Sequence, residues 1–269
     1  VLVGTLPVIN TGLQFVVLPL HAFRNHYGKA APHHPRVAVL IPAWNEGLVL
    51  GPAIERLMQL EYPADRLRIF VIDDASTDDT PQVVAAKAQA FPGRVVHLRR
   101  DKGGEGKAHT LNHGIRHILA EDWMEAMLIM DADVIYLPDS LRKMTRHFAD
   151  PEVGAVTAYI REGSAKKSYL SRFIAFEYVL SQLGSRRAQN VLGAMACLAG
   201  GAQLHTRRNI EDLGGQIDTT SLAEDTVTTF ETQLAGRRVV FDPAAVVLAE
   251  EPHRVGALWK QRLRWDRGN

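Results

Sequence analysis

The sequence predicts an α/β domain whose mainly parallel sheet carries helices on both faces. From Val37 onward, short β-branched runs alternate with stretches of helical spacing. The runs are apolar throughout rather than alternating, the pattern of strands covered on both sides. Polar clusters follow them directly, where open α/β sheets bind their ligands.

Val37–Ile41 reads as a buried strand stopped by Pro42, and Leu48–Leu60 as a helix. Arg68–Ile72 is the next strand, closed by Asp73 and Asp74. Thr80–Ala90 has helical spacing and Val95–Leu98 reads as a third strand. Lys107–Leu119 is helical, and Ala126–Met130 is a fourth strand. Beyond Asp139 the alternation loosens. A strand near Gly154–Tyr159 precedes a long amphipathic stretch, Tyr169–Leu183. Then comes GAMACLAGGAQ, whose Gly200 and Gly201 permit close backbone approach. A helix over Ala223–Ala235 and two short strands, Arg238–Phe241 and Ala245–Leu248, complete the pattern.

The 269 residues suffice for one large α/β domain, and 46% apolar with 23% charged residues is an ordinary globular composition. Lys plus Arg is 31 against 30 for Asp plus Glu, so no basic footprint points to nucleic acid. Cys197 is the only cysteine, which excludes an intramolecular disulfide and a cysteine metal site and fits a reducing compartment.

Val1 to Phe23 carries no charge and is long enough to cross a hydrocarbon core at ~1.5 Å per residue. Pro7, Asn10 and Pro19 weaken it as a helix. A basic cluster follows (Arg24, His26, Lys29, His33, His34, Arg36), which favours a cytoplasmic domain at an inner or plasma membrane. The chain is therefore divided into a membrane-embedded or transmembrane segment (1–24), a linker (25–36) and the α/β domain (37–269). A signal-peptide remnant and a hydrophobic arm packed on the domain are the other readings of the first segment.

Asp131 and Asp133 follow the fourth strand. In an extended chain they share a face, and two carboxylates there call for a cation such as Mg²⁺ or Mn²⁺; a solvated acidic turn is the alternative. Asp73 and Asp74 either accept from a nucleotide base or ribose, or belong to a capped strand-to-helix turn. The stretch RRDKGGEGKAHTLN fails the Walker pattern at Asp101 and Ala108, yet its glycine loop can deliver Lys107 to a diphosphate. Read alone, Glu224 and Asp225 are first-turn acids favoured by the helix dipole; the sharper reading makes one of them a general base. Gln261, Arg264 and Trp265 share one helical face, suited to a pyrophosphate beside a sugar ring or to interface packing. Four strand ends, Trp44–Glu46, Asp73–Asp74, Arg99–Lys107 and Asp131–Asp133, thus converge on one crevice.

In order, IPAWNE, VIDDASTDDT, GKAHTLN, DAD, AED and QRLRW resemble the motif series of family 2 glycosyltransferases with the GT-A fold. The likeness is greatest to the membrane-embedded polysaccharide synthases of the cellulose, hyaluronan and poly-N-acetylglucosamine group. The resemblance implies that Ala43, Asp73 and Asp74 lie at a uridine pocket with Glu46 nearby, and that Lys107 lies near the donor's diphosphate. It implies that Asp131 and Asp133 hold the nucleotide and a Mg²⁺ or Mn²⁺ ion, with Asp133 favoured as the direct ligand. Asp225 would be the base, while Glu224, Gln261, Arg264 and Trp265 would serve the acceptor and diphosphate. The family's T-E-D is Ala223-Glu224-Asp225 here, so one acceptor-side hydroxyl is missing.

The expected activity is inverting sugar transfer from a UDP-hexose or UDP-N-acetylhexosamine to a growing polysaccharide, with accessory synthase subunits as possible partners. Single transfer to a lipid or polyprenyl-phosphate acceptor is the nearest rival. A sugar-phosphate nucleotidyltransferase would need a basic glycine-rich loop that Val37–Gly47 lacks. A nucleotide sensor would have lost the base.

Overall fold

The computed structural model describes residues 2–24 and 31–268. Strands β1 (Val37–Ala43), β2 (Leu67–Asp73), β3 (Val95–Arg99), β4 (Ala126–Ile129), β5 (Val134–Tyr136), β6 (Val153–Glu162), β7 (Gln203–Thr206) and β8 (Arg238–Ala249) form one eight-stranded sheet. Its order is β3-β2-β1-β4-β7-β6-β8-β5. The helices are α1 (Leu2–Val17), α2 (Leu20–Arg24), α3 (Gly47–Met58), α4 (Thr80–Ala90), α5 (Lys107–Ala120) and α6 (Ser140–Thr145). They continue as α7 (Tyr169–Tyr178), α8 (Arg187–Leu192), α9 (Arg207–Asp212), α10 (Glu224–Leu234) and α11 (Val255–Gly268).

The first four strands are parallel, as the strand–helix alternation requires. Their side chains divide by parity. Val37, Val39 and Ile41 of β1 pack in one core with Leu50, Ile54 and Leu57 of α3. Ala38 and Leu40 join Phe70 and Ile72 in a second core, under Leu111, Ile115 and Ile118 of α5. β1 and β2 are therefore buried on both faces, which explains their unbroken apolar runs.

The rest of the sheet keeps the mainly parallel pattern, with β6 and β8 parallel to each other, and adds two reversed strands. β7 pairs antiparallel with β4 and β6, and β5 pairs antiparallel with β8, so the sheet is mixed. β5 and β7, of three and four residues, are too short to leave a periodic signal. The two strands expected near the end are one, β8, whose pairing with β6 shifts register after Asp242. Pro243 lacks the N–H needed for a continuous ladder there. Asp242 is nearly fully buried at this irregularity, where its carboxylate meets His147 Nε2 at 2.8 Å and Arg146 Nη2 at 3.0 Å.

Over residues 2–24 the segment expected to be membrane-embedded or transmembrane forms two helices rather than one. α1 has 16 residues, and the chain turns at Leu18 and Pro19 before the short α2. Pro19 cannot donate to the helix ladder and disfavours a helical Leu18. No helix among the described residues is long and apolar enough to cross a membrane. α1 and α2 both pack on α8, with Leu13, Phe15 and Val16 of α1 and Phe23 of α2 exposed. Residues 25–30 of the expected linker, with His26 and Lys29, lie outside the described residues. Residues 31–36 have no regular secondary structure and are held by Tyr62 donating to the Pro35 carbonyl and Arg66 to that of His34.

Candidate active site

The strand ends converge as expected, but the Asp131–Asp133 step is not an extended strand. It is a turn, with Val134 N–H donating to the Asp131 carbonyl at 3.4 Å. The turn is forced by topology, because β4 lies inside the sheet while β5 pairs with β8 at its edge. The carboxylates remain close enough to feel each other. Burial raises the Asp133 carboxyl above its usual range, and the Asp131 charge, with that of Glu250, adds to the effect. Glu46 is raised by burial too, and then by the charges of Asp133, Asp131 and Asp78.

Lys107, the first residue of α5, reaches into this acid group. Its Nζ lies 2.7 Å from Asp131 Oδ1 and 3.2 Å from Glu224 Oε1, and donates to the Gly200 carbonyl at 3.4 Å. Burial works against its charge, but Asp131 and Glu224 more than offset this and hold the ammonium above its ordinary range. Asp225 lies alongside. A Cβ on Gly200 would stand 3.3 Å from Asp225 Oδ2 and 3.7 Å from Lys107 Nζ, and one on Gly201 3.2 Å from Asp131 Oδ2. The two glycines thus form a floor without side chains between the Asp131 and Asp225 carboxylates.

Asp225 is held in place by α10 and by the segment before the glycines. Its Oδ1 accepts the Thr226 N–H at 2.8 Å. Thr229 donates to the Asp225 carbonyl and accepts the Leu198 N–H, and Gln233 exchanges two hydrogen bonds with the Met195 backbone. Burial raises the Asp225 carboxyl, Glu224 raises it further, and Lys107 and Cys197 oppose the shift. A carboxylate with a raised proton affinity, beside an open floor, suits a general base.

Asp73 and Asp74 are committed to internal partners. Asp73 is fully buried, with Oδ1 accepting the Ser76 N–H at 2.8 Å and Oδ2 paired with Arg99 at 2.5 Å and His97 at 3.4 Å. Asp74 pairs with Arg100 and accepts the Gly104 N–H at 2.9 Å, so it pins the glycine loop that leads to Lys107. Ala43 is buried at the end of β1, its carbonyl accepting the Asp74 N–H. Gly103 passes so close that an added Cβ would stand 2.0 Å from the Asp74 carbonyl oxygen. Gly103→Ala therefore displaces the loop. We expect about 1–3 kcal/mol less unfolding free energy in urea and weaker nucleotide binding.

On α11, Gln261 donates to Glu251 at 3.4 Å; Glu251 also bonds the Tyr178 hydroxyl and faces the Asp133 charge. Arg264 is exposed, and Trp265, 40% exposed, lies under Arg262 at 4.2 Å. Glu250 and Glu251 directly follow β8, the same strand-end signal that picked out Asp73 and Asp131, and sequence reasoning passed over them. Cys197 and Arg186, within electrostatic reach of Asp225, carried no such signal.

Among the described residues no three acidic, imidazole or thiol side chains converge as a ready metal cage. The donors present are carboxylate oxygens whose mutual repulsion a divalent cation would relieve, and Mg²⁺ commonly takes one or two carboxylates with phosphate oxygens completing its shell. The donor set fits Mg²⁺ or Mn²⁺ on those terms.

Residues 34–268 match the family described as glycosyltransferase like family 2. A probable glycosyltransferase, YdaM of Bacillus subtilis, is 33% identical over 242 residues, covering 87% of this chain and 55% of that protein. The poly-β-1,6-N-acetyl-D-glucosamine synthase of Staphylococcus aureus is 29% identical over 234 residues, covering 86% of this chain and 54% of the synthase. The chain thus spans about half the length of these curated relatives. The mannosyltransferase PcManGT of Pyrobaculum calidifontis, solved with GDP-Man and Mn²⁺, superposes with a TM-score of 0.73 at 27% identity, covering 97% of this chain and 72% of the other. TarS of S. aureus, solved with UDP-GlcNAc, shares the fold at a TM-score of 0.60 and 14% identity, over 81% of this chain and 59% of the TarS chain.

Proposed function

The chain belongs to the glycosyltransferase like family 2, and from that premise we propose that it transfers a sugar from a nucleotide-sugar donor to an acceptor hydroxyl with inversion. The observation that carries this reading is the juxtaposition of Asp131, Lys107, Glu224 and Asp225 around the Gly200–Gly201 floor. Asp225 removes the acceptor hydroxyl proton as that oxygen attacks the anomeric carbon. The bond from that carbon to the diphosphate breaks on the opposite side. Lys107, and Arg264 from α11, supply positive charge toward the leaving diphosphate. Asp131 and Asp133 hold a Mg²⁺ or Mn²⁺ ion, which when bound offsets charge on the diphosphate. The nucleoside lies over the Ala43, Glu46, Asp73 and Asp74 strand ends, with Trp265 and Gln261 toward the acceptor.

The donor is a UDP-hexose or UDP-N-acetylhexosamine and the acceptor a growing polysaccharide. Support comes from the Q-x-x-R-W helix and from the S. aureus synthase among the relatives. The acceptor works at a membrane surface. Tyr169, Phe173, Phe176 and Leu180 expose apolar side chains at helical spacing, as α1 does. The test uses the full-length protein in membranes with labelled UDP-GlcNAc, UDP-Glc and GDP-Man, Mg²⁺ or Mn²⁺, and sizing of the product. Long polymer from a UDP-sugar is the expected result. A single sugar on lipid selects the non-processive alternative, and no incorporation from any donor overturns the reading.

A further inference from the structure

We propose that Lys107 is the resident counter-ion of the acid site and keeps divalent metal off Asp131 until a nucleoside diphosphate draws the ammonium away. The inference rests on the reading of Asp131 and Asp133 as the metal-holding acids and adds an order of binding to it. Two independent observations carry it. The first is contact: Nζ lies 2.7 Å from Asp131 Oδ1 and 3.2 Å from Glu224 Oε1, and also donates to the Gly200 carbonyl. A divalent cation on Asp131 would bring two positive centres onto one carboxylate. The second is composition: among the described residues the donors at this site are a few carboxylates with no cage of three converging side chains, and Mg²⁺ bound by one or two carboxylates commonly takes phosphate oxygens as well. A diphosphate answers both. Its oxygens complete a metal shell, and its charge gives the ammonium a new partner.

Lys107 is placed to change partners. It is the first residue of α5, follows Gly104 and Gly106 at positive φ, and its side chain is 29% exposed. Glu224 serves as the station that keeps the ammonium beside the site. Metal and donor therefore bind as a set rather than independently, which is positive coupling between two ligands.

The test reads metal binding, not turnover. Manganese EPR counts free Mn²⁺ during titration of the wild type, Lys107→Met and Lys107→Arg, each alone and with saturating UDP or GDP. The wild type should bind Mn²⁺ weakly alone and at least about tenfold more tightly with nucleotide. Lys107→Met should bind Mn²⁺ alone about tenfold more tightly than the wild type and lose most of the nucleotide enhancement; Lys107→Arg should stay near the wild type. Unchanged Mn²⁺ affinity in folded Lys107→Met overturns the gate while leaving the functional reading standing. No nucleotide-dependent Mn²⁺ binding in the wild type overturns both. Should Lys107→Met fail to fold, lysine ¹³Cε NMR of the wild type decides. Mg²⁺ alone should leave the Lys107 signal in place and Mg²⁺ with UDP should move it; movement with Mg²⁺ alone overturns the proposal.

Discussion

Asp225→Asn should abolish transfer while leaving nucleotide binding nearly intact and raising thermal stability. A positioned base contributes ~10²–10⁴ in rate, and the amide cannot accept the acceptor's proton. The local structure survives, because an amide oxygen can still take the Thr226 N–H that Asp225 Oδ1 takes at 2.8 Å. The stability effect follows from the direction of the shift. Burial, and then the Glu224 charge, raise the Asp225 carboxyl above its ordinary range. The folded state therefore holds that proton more tightly than the unfolded chain. Asp225 favours the fold most below the unfolded carboxylate range, and that contribution is lost as pH rises through the folded value. At neutral pH the ionised group works against folding, and the neutral amide removes the cost. The wild-type rate should fall on acidification at a pH above that of an ordinary aspartate. Kinetics across pH, nucleotide calorimetry and thermal melts check the three parts. Normal turnover in the variant would sink the assignment.

The reasons some features were legible in the sequence, and others not, are physical. β1, β2 and β4 are buried on both faces, so their apolar runs stand out whatever surrounds them. α4 begins at Thr80 and ends at Ala90, as its spacing predicts. β5 and β7 owe their existence to partners far away in the chain, β8 on one side and β4 with β6 on the other, and pairing at such distances leaves no local period. The turn at Asp131–Asp133 was missed for the same reason, since only the position of β5 at the sheet edge forces it. Residue types at strand ends gave Asp131 and Lys107, while Glu224 and Asp225 stood out as first-turn acids to which the family resemblance added the base. What they could not give is the pairing of Lys107 with both Asp131 and Glu224, which depends on the first residues of α5 and α10 meeting beside the Gly200–Gly201 floor. The burial of Asp73 and Asp74 was equally out of reach, because it depends on Arg99 and Arg100 folding back from the end of β3.

Asp131→Asn and Asp133→Asn should be alike in activity and opposite in stability. Either change removes a carboxylate from the proposed metal site, and charge stabilisation of that kind is worth several kcal/mol, so transfer should fall by about 10²-fold or more in each. Their surroundings differ. Asp133 is raised by burial and then by Asp131 and Glu250, so its ionised form is opposed in the folded state. An amide there relieves like-charge repulsion, and thermal stability near neutral pH should rise. Asp131 instead has a partner: Lys107 lies 2.7 Å away with its side chain 29% exposed. Removing that carboxylate leaves the ammonium with Glu224 at 3.2 Å and the Gly200 carbonyl, a partly desolvated charge short of one acid. The variant should therefore be less stable, by about 1 kcal/mol after allowance for solvent screening. Salt separates the two effects. Added NaCl should narrow the gap between Asp131→Asn and the wild type, because it screens the ion pair that was lost. It should also narrow the gain in Asp133→Asn, because it screens the repulsion that was relieved. Thermal melts of both variants at low and high ionic strength, with transfer assays alongside, test the contrast. Shifts of the same sign in the two variants would show that Lys107 does not distinguish the two aspartates.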